Sequence, residues 1–180
     1  KEALEQQTGT AEILKVIASS PSDVQPVFEA IAQSSNRLIG GYSTAVFRIF
    51  DDALHLVAFT RVSAEADAAL QASFPMRFAD FPLAAPLREG AVVRITDTED
   101  GAQAPEMMRD LARLRGYRSM LFCPLLREGK PIGMISVTRR EPGPFEPHLV
   151  ELMQTFGDQA VIAIENARLF NETRDALERQ

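Results

Sequence analysis

The chain opens with two stretches in which hydrophobic residues recur every three or four positions, which is the spacing of one helix face. The first stretch covers residues 2–18 and the second covers 24–39. Pro21 interrupts the pattern between them, and Gly40-Gly41 follows the second stretch. Since proline breaks helices and glycine adopts the left-handed backbone that ends them, we expect two helices joined by a short turn.

Four segments farther along are rich in β-branched and aromatic residues, as strands are. They form two pairs, 43–50 with 54–61 and 118–126 with 131–139, and a short polar turn joins the members of each pair. Strands connected in this way form antiparallel hairpins. A shorter segment, 91–95, predicts a fifth strand.

The remaining segments predict helices and one irregular apolar loop. Short helices are expected at 63–73 and 105–115, whereas the proline content of 74–90 excludes continuous regular structure. Helical spacing then runs from Pro147 to the end of the chain. The predicted class is α+β, with a central antiparallel sheet of five or six strands, helices on both faces and long terminal helices. Since the helices at 24–39 and 147–165 carry wide apolar stripes, we expect them to share one sheet face.

Composition narrows the class of protein. The chain has 180 residues, of which 46% are hydrophobic and 24% charged, as in an ordinary globular domain. The net charge of −6 argues against a nucleic-acid partner, and no segment reaches the roughly 18 apolar residues of a membrane-spanning helix. A single cysteine, Cys123, and two histidines argue against a disulfide framework and a structural metal site. We expect a reducing, cytoplasmic setting.

Three segments resemble the GAF domain family. Residues 123–137, with Pro124-Leu125 before a charged turn and Ile132-Gly133 after it, are similar to the last hairpin of GAF domains. Residues 86–97 resemble the approach to the short middle strand of that family, and 156–170 resemble its terminal helix. The three segments occur in the family's order, and the resemblance spans roughly residues 24–170.

The resemblance implies a regulatory module of a bacterial multidomain signalling protein. Such a GAF domain senses a small molecule and relays ligand state through its terminal helices to an output domain in the same chain, such as a histidine kinase of a two-component system or a nucleotide cyclase. We expect an N-terminal signalling helix and linker at 1–21, the GAF domain at 22–167 and the start of a coiled-coil linker at 168–180. Because the chain begins and ends in helical pattern, it is expected to be a segment of a longer polypeptide.

Two other functions stay open at the level of sequence. One is a ligand-free GAF module for dimerisation and relay, and the more remote one is an enzyme. Neither His55 nor His148 lies in a catalytic motif, so no catalytic residue is predicted. Bilin-binding relatives attach their chromophore to a cysteine beside a histidine, but here Pro124 follows Cys123. No covalently bound cofactor is expected, and the ligand would be an unidentified small molecule.

The apolar loop at 74–83 predicts a pocket over one sheet face, with aromatic walls and a few polar groups that orient a ligand. The alternative is that the same aromatic residues close a small core without a ligand. The ligand-binding candidates are Phe59, Arg61, Phe74, Phe78, Phe81, Arg94, Asp97 and Tyr117.

The last helix keeps its apolar spacing beyond the region needed to cover the sheet, and its flanks are charged, as in coiled coils. A single amphipathic helix is the alternative explanation. We expect a homodimer through the terminal helices, in which small residues allow close approach. The predicted interface residues are Leu4, Ala11, Leu14, Ala160, Ala163, Ala167, Phe170 and Leu177.

Overall fold

A computed structural model describes residues 2–180, with the side chains from Ala3 onward. The α-helices in this range are α1 (Glu2–Ser19), α2 (Gln25–Ile39), α3 (Ala64–Ala72), α4 (Ala84–Arg88), α5 (Glu106–Arg115) and α6 (Pro147–Glu178). The strands are β1 (Ser43–Phe50), β2 (Ala53–Phe59), β3 (Met76–Arg77), β4 (Val93–Ile95), β5 (Ser119–Arg127) and β6 (Lys130–Arg139).

The six strands form one antiparallel sheet in the order β3-β2-β1-β6-β5-β4. The two predicted hairpins lie side by side, because β1 pairs with β2 on one edge and with β6 on the other. The β5–β6 turn has a positive φ at Glu128 and at Gly129, which matches the twist of the strands it joins. The predicted α+β class and antiparallel sheet are confirmed.

One face of the sheet is covered by α2 and α6. Val46, Leu121 and Ile135 point from the three central strands into a core that also contains Phe28 of α2 and Phe156 of α6. The expectation that these two helices share a face is therefore confirmed. Helix α1 packs on the same assembly, and its Ile13 and Ile17 complete this core.

The opposite face carries a second core, to which α4, α5 and the segment predicted to be irregular contribute. That segment consists of short pieces: β3, a 3₁₀ turn at Phe78–Asp80 and the five-residue α4. Pro86 is tolerated inside α4 because it lies in the first turn, where a backbone N–H has no helical acceptor. None of the helices within residues 2–180 is both long and apolar enough to cross a membrane.

Candidate ligand-binding site

A partly enclosed cavity of about 70 Å³ lies between the second face of the sheet and the elements that cover it. The central strands β1, β5 and β6 form its floor, and α3, α5 and the aromatic segment form its cover. The hydrophobic lining residues are Ala45, Phe47, Leu70, Phe74, Phe81, Met107, Met108, Leu111, Tyr117, Met120, Phe122 and Met134. Such a mostly apolar recess under a loop and helices is the usual form of a small-molecule site.

Methionine dominates the flexible part of this lining. Four of the six methionines of the chain border the cavity, two from α5 and two from the sheet. The methionine side chain is unbranched and has three rotatable bonds, so it can change shape at low cost. The cavity can therefore change its volume without moving the backbone.

Two hydroxyl groups in the lining make no hydrogen bond within residues 2–180. They belong to Ser136, which is 5% exposed, and to Tyr117, which is 4% exposed. Burial raises the pKa of Tyr117 far above its ordinary value, so its phenol stays protonated and can donate. By contrast, the hydroxyls of Ser43 and Thr138 lie 2.6 Å apart and bond to each other.

Arg115 is the one charged residue of the lining in the part of the chain that the structure describes. It is 4% exposed, and its Nη1 donates to the carbonyl oxygen of Ala66 at 2.6 Å. The same nitrogen lies 3.4 Å from Oδ1 of Asp67, which forms the ion pair that neutralises the guanidinium. Arg115 thus fastens the end of α5 to α3 and adds no net charge to the cavity.

The structure brings three of the eight ligand-binding candidates together. Phe74, Phe81 and Tyr117 line the cavity. Phe59 and Arg61 border a separate, shallower cleft at the outer edge of β2, which Phe74 also touches.

The other three candidates lie outside the cavity lining. Phe78 is buried in the second core, with the Arg88 guanidinium 5.1 Å from its ring centre. Arg94 is exposed on the edge strand β4. Asp97 accepts from the backbone N–H of Glu99, which caps a turn, and from Arg118 at 2.9 Å, and these hydrogen bonds lower the pKa of its carboxyl group.

Several lining residues were missed by the reasoning from sequence. Ser136 and Thr138 alternate with Ile135 and Val137 along β6. Because side chains alternate between the faces of a strand, both hydroxyls lie on the same face of this buried strand. That alternation was a usable indication of a polar spot in the cavity. Arg115 carried no such indication, because a basic residue in the last turn of a helix is common.

The predicted dimer residues fall into two groups. Leu4, Ala11, Leu14, Phe170 and Leu177 are exposed. Ala160, Ala163 and Ala167 are buried inside the protomer, the first two in the core that holds Ile13 and Ile17 of α1. The position of these three alanines therefore does not support a role at an interface between chains, because the same chain already covers them.

Neither a reactive thiol nor a metal centre is apparent in the described residues. Cys123 lies in the middle of β5, and burial, with a smaller effect of Asp158, raises its pKa to about 12. Such a thiol stays protonated and is a poor nucleophile at neutral pH. Across residues 2–180, histidine, cysteine, aspartate and glutamate form no group of three that could hold a metal ion.

A family comparison agrees with the arrangement of sheet, cavity and helices. The family model described as GAF domain matches residues 21–165. The chain belongs to the GAF domain family. Members of this family serve as sensory and regulatory modules in signalling proteins. No curated protein matches the chain.

Solved GAF structures share the fold at low sequence identity. The GAF domain of a phosphoenolpyruvate-protein phosphotransferase from Coxiella burnetii is 12% identical, with a TM-score of 0.77 over 96% of this chain and 99% of that one. The GAF domain/HD domain protein from Geobacter sulfurreducens is 20% identical, with a TM-score of 0.72 over 84% and 97%. The phycoerythrobilin-bound GAF domain of a cyanobacterial phytochrome is 17% identical, with a TM-score of 0.70 over 91% and 96%.

Proposed function

We propose that this GAF domain, at 22–167, is the small-molecule sensor of a larger signal-transduction protein. Occupancy of the cavity would be relayed through the terminal helices to an output domain in the same chain, such as a histidine kinase or a nucleotide cyclase. A solved neighbour from a two-component sensor histidine kinase protein of Sinorhizobium meliloti supports this context. The protein would act in the cytoplasm as a homodimer, with 1–21 and 168–180 as its helical connections.

One observation carries the proposal: the strands that floor the cavity also support the terminal helix. Along β6, Met134 and Ser136 line the cavity, while Ile135 and Val137 belong to the core under α2 and α6. Along β5, Phe122 lines the cavity, and Leu121 and Cys123 belong to the helical core. A ligand that shifts these strands changes the surface on which α6 rests, because close-packed interiors transmit small displacements.

Ion pairs extend this connection beyond the sheet. Arg127, at the end of β5, lies 2.9 Å from Glu165 of α6. Glu165 also pairs with Arg168 at 3.1 Å, and Arg168 pairs with Glu172 at 2.8 Å. Each pair is partly exposed and contributes little to stability by itself. Together they link the β5–β6 hairpin to the part of α6 that leaves the domain.

The homodimer is proposed through an open groove between the end of α1 and the end of α6. Leu14, Leu169, Phe170 and Leu177 expose apolar side chains along this groove. A helix pair with such a stripe and charged flanks suits a second copy of the same helices. The buried alanines of α6 remain within each protomer in this arrangement.

Sedimentation of Phe170→Asp tests the dimer. Phe170 is 45% exposed in the groove, so an aspartate is tolerated in the monomer but would be buried without a partner at the interface. Ile162→Asp is the control, because Ile162 is 48% exposed on the same helix but does not line the groove. The variant should dissociate at concentrations where the parent and the control are dimeric. A Phe170→Asp variant as dimeric as the parent would place the interface elsewhere.

The sensor proposal is tested by thermal unfolding of the chain with nucleotides, amino acids and central metabolites. A ligand at 100 times its Kd stabilises the fold by about 2.7 kcal/mol, which such an assay resolves. Spin labels at Lys15→Cys and Glu178→Cys then report the distance between α1 and the end of α6. Relay requires that α1 and α6 adopt two arrangements whose ligand affinities differ, so the distribution of distances between the two labels should change on binding. Binding without such a change would overturn the relay.

The ligand-free dimerisation and relay module is the second candidate, and the small cavity volume favours it. Pockets for drug-sized ligands measure about 300–1,000 Å³, whereas this cavity measures about 70 Å³. Native mass spectrometry of freshly purified protein separates the two candidates, since a sensor retains or accepts a ligand mass and a ligand-free module does not. An enzyme, the remote alternative, would have to show turnover.

A further inference from the structure

We propose that the cavity takes a neutral, compact and mostly apolar molecule with one hydroxyl-like end, such as a small phenol, and rejects anionic ligands such as nucleotides. This inference rests on the proposed function, because it names the ligand class of the same cavity. It follows from the size, the charge and the unpartnered polar atoms of the lining.

The size of the cavity sets the scale of the ligand. An apolar cavity of about 150 Å³ is enough to bind benzene, so the 70 Å³ present here must roughly double for a single ring. The methionines of α5 and of the floor supply this expansion by changing side-chain conformation. The rings of Phe81 and Phe122, with centroids 6.1 Å apart in an edge-to-face arrangement, would provide aromatic contacts to the occupant.

The charge of the lining excludes anions. A buried phosphate or carboxylate needs a cation or several donors to replace the water it loses. Arg115 is the one cation of the described lining, and its Nη1 is already engaged by Asp67 and the Ala66 carbonyl. Because Asp67 already balances the charge of Arg115, a bound anion would leave the buried site with one net negative charge, whereas a neutral molecule leaves the balance unchanged.

The hydroxyls of Ser136 and Tyr117 determine the polar end of the ligand. Both side chains are more than nine-tenths buried, both line the cavity, and neither hydroxyl has a hydrogen-bond partner within residues 2–180. Neither oxygen is among the fully buried unpartnered atoms, so each has accessible surface at which a bound hydroxyl would supply the partner that the protein does not. Since a hydroxyl both donates and accepts, a phenol-like group suits one or both of them.

Calorimetric titration of the full 180-residue chain with phenol, benzoate and cyclic GMP tests the ligand class. Phenol should bind at least about tenfold more tightly than either anion. Ser136→Ala and Tyr117→Phe should each weaken phenol binding by about fivefold, the usual effect of one lost hydrogen bond. Ser35→Ala is the matched control: Ser35 is also fully buried and its hydroxyl unpartnered, but it lies in α2 outside the cavity. Its phenol affinity should equal that of the parent.

Circular dichroism of each variant separates lost binding from lost folding, and no misfolding is expected because the deleted hydroxyls bond to no protein atom. Tighter binding of benzoate or cyclic GMP than of phenol would overturn the ligand class while leaving the sensor function intact. The absence of phenol binding, or equal phenol affinity in parent, Ser136→Ala and Tyr117→Phe, would overturn it as well. The sensor function itself fails only if the wider metabolite screen and native mass spectrometry also detect no ligand.

Discussion

Replacing Ser136 by valine is expected to stabilise this domain, although enlarging a residue in a packed core usually adds strain. The first reason is the cavity beside Ser136, which offers space to the added methyl groups. The second is that the Ser136 hydroxyl has no partner within residues 2–180, so its removal breaks no hydrogen bond. Valine also suits the central strand β6, because β-branched residues pack well on a pleated surface.

The cavity volume limits the size of the effect. At roughly 24 cal/mol per Å³, filling the whole 70 Å³ would be worth about 1.7 kcal/mol. Valine fills part of it and removes an unsatisfied polar atom, so we expect the free energy of unfolding to rise by about 1–1.5 kcal/mol. For a domain of this length that corresponds to an increase of about 2–6 °C in Tm.

Urea denaturation and calorimetry measure this change, and Ser35→Val is the matched control. Ser35 is fully buried in α2 and borders no part of the cavity, so valine there should overpack the core and lower stability by about 1–3 kcal/mol. The two variants should thus shift stability in opposite directions. A destabilised Ser136→Val, or the same sign for both, would show that the space beside Ser136 cannot be filled. Ser136→Val should also abolish the thermal shift produced by a ligand of the cavity.

Two further predictions concern β5 and the hairpin it forms with β6. Cys123 should resist Ellman's reagent at pH 8 until urea unfolds the protein. Because folding raises its pKa from 9.0 to about 12, its contribution to stability is complete below pH 9 and declines as pH rises towards 12. A thiol titrating near pH 9 in the native protein would contradict its burial. Gly133→Ala should lower the free energy of unfolding by about 2–3 kcal/mol in urea titrations, because a Cβ would overlap the Phe47 carbonyl oxygen of β1 and lie 2.9 Å from Leu125 Cδ1. Gly129→Ala is the control and should cost only about 1 kcal/mol, because Gly129 has a φ of +78° and open space around it. Equal costs would contradict the close approach of the two strands at Gly133.

Local hydrophobic spacing was sufficient to determine the long elements of this protein, but not the short pieces β3 and α4 within 74–90. The two hairpins, the strand at β4 and the helices α1, α2, α5 and α6 were all recognisable, because period two and period 3.6 reflect which backbone faces avoid water. The shared face of α2 and α6 followed from the width of their apolar stripes. The motif around Ile132-Gly133 pointed to the family for a physical reason, since only glycine permits β6 to approach Phe47 of β1 this closely.

The composition of the cavity depended on tertiary structure. Phe74, Phe81 and Tyr117 reach it, but Phe59 does not line it, although all four are aromatic residues near the same segment. Phe59 faces the second core, but it lies on β2, which is outside the strands β1, β6 and β5 that floor the cavity. Position across the sheet, which local spacing does not give, keeps it out of the lining.

The terminal helices show most clearly that local spacing does not identify the packing partner of a buried face. The spacing of Ala160, Ala163 and Ala167 correctly marks a buried stripe on α6, and from sequence a second chain was the expected cover. In the structure the cover comes from the same chain, with Ile13 and Ile17 of α1 in the core shared with the first two alanines. Hydrophobic spacing is determined by the exclusion of water, and water is excluded equally well by either chain. Only the long-range packing of α1 against α6 decides which one does so.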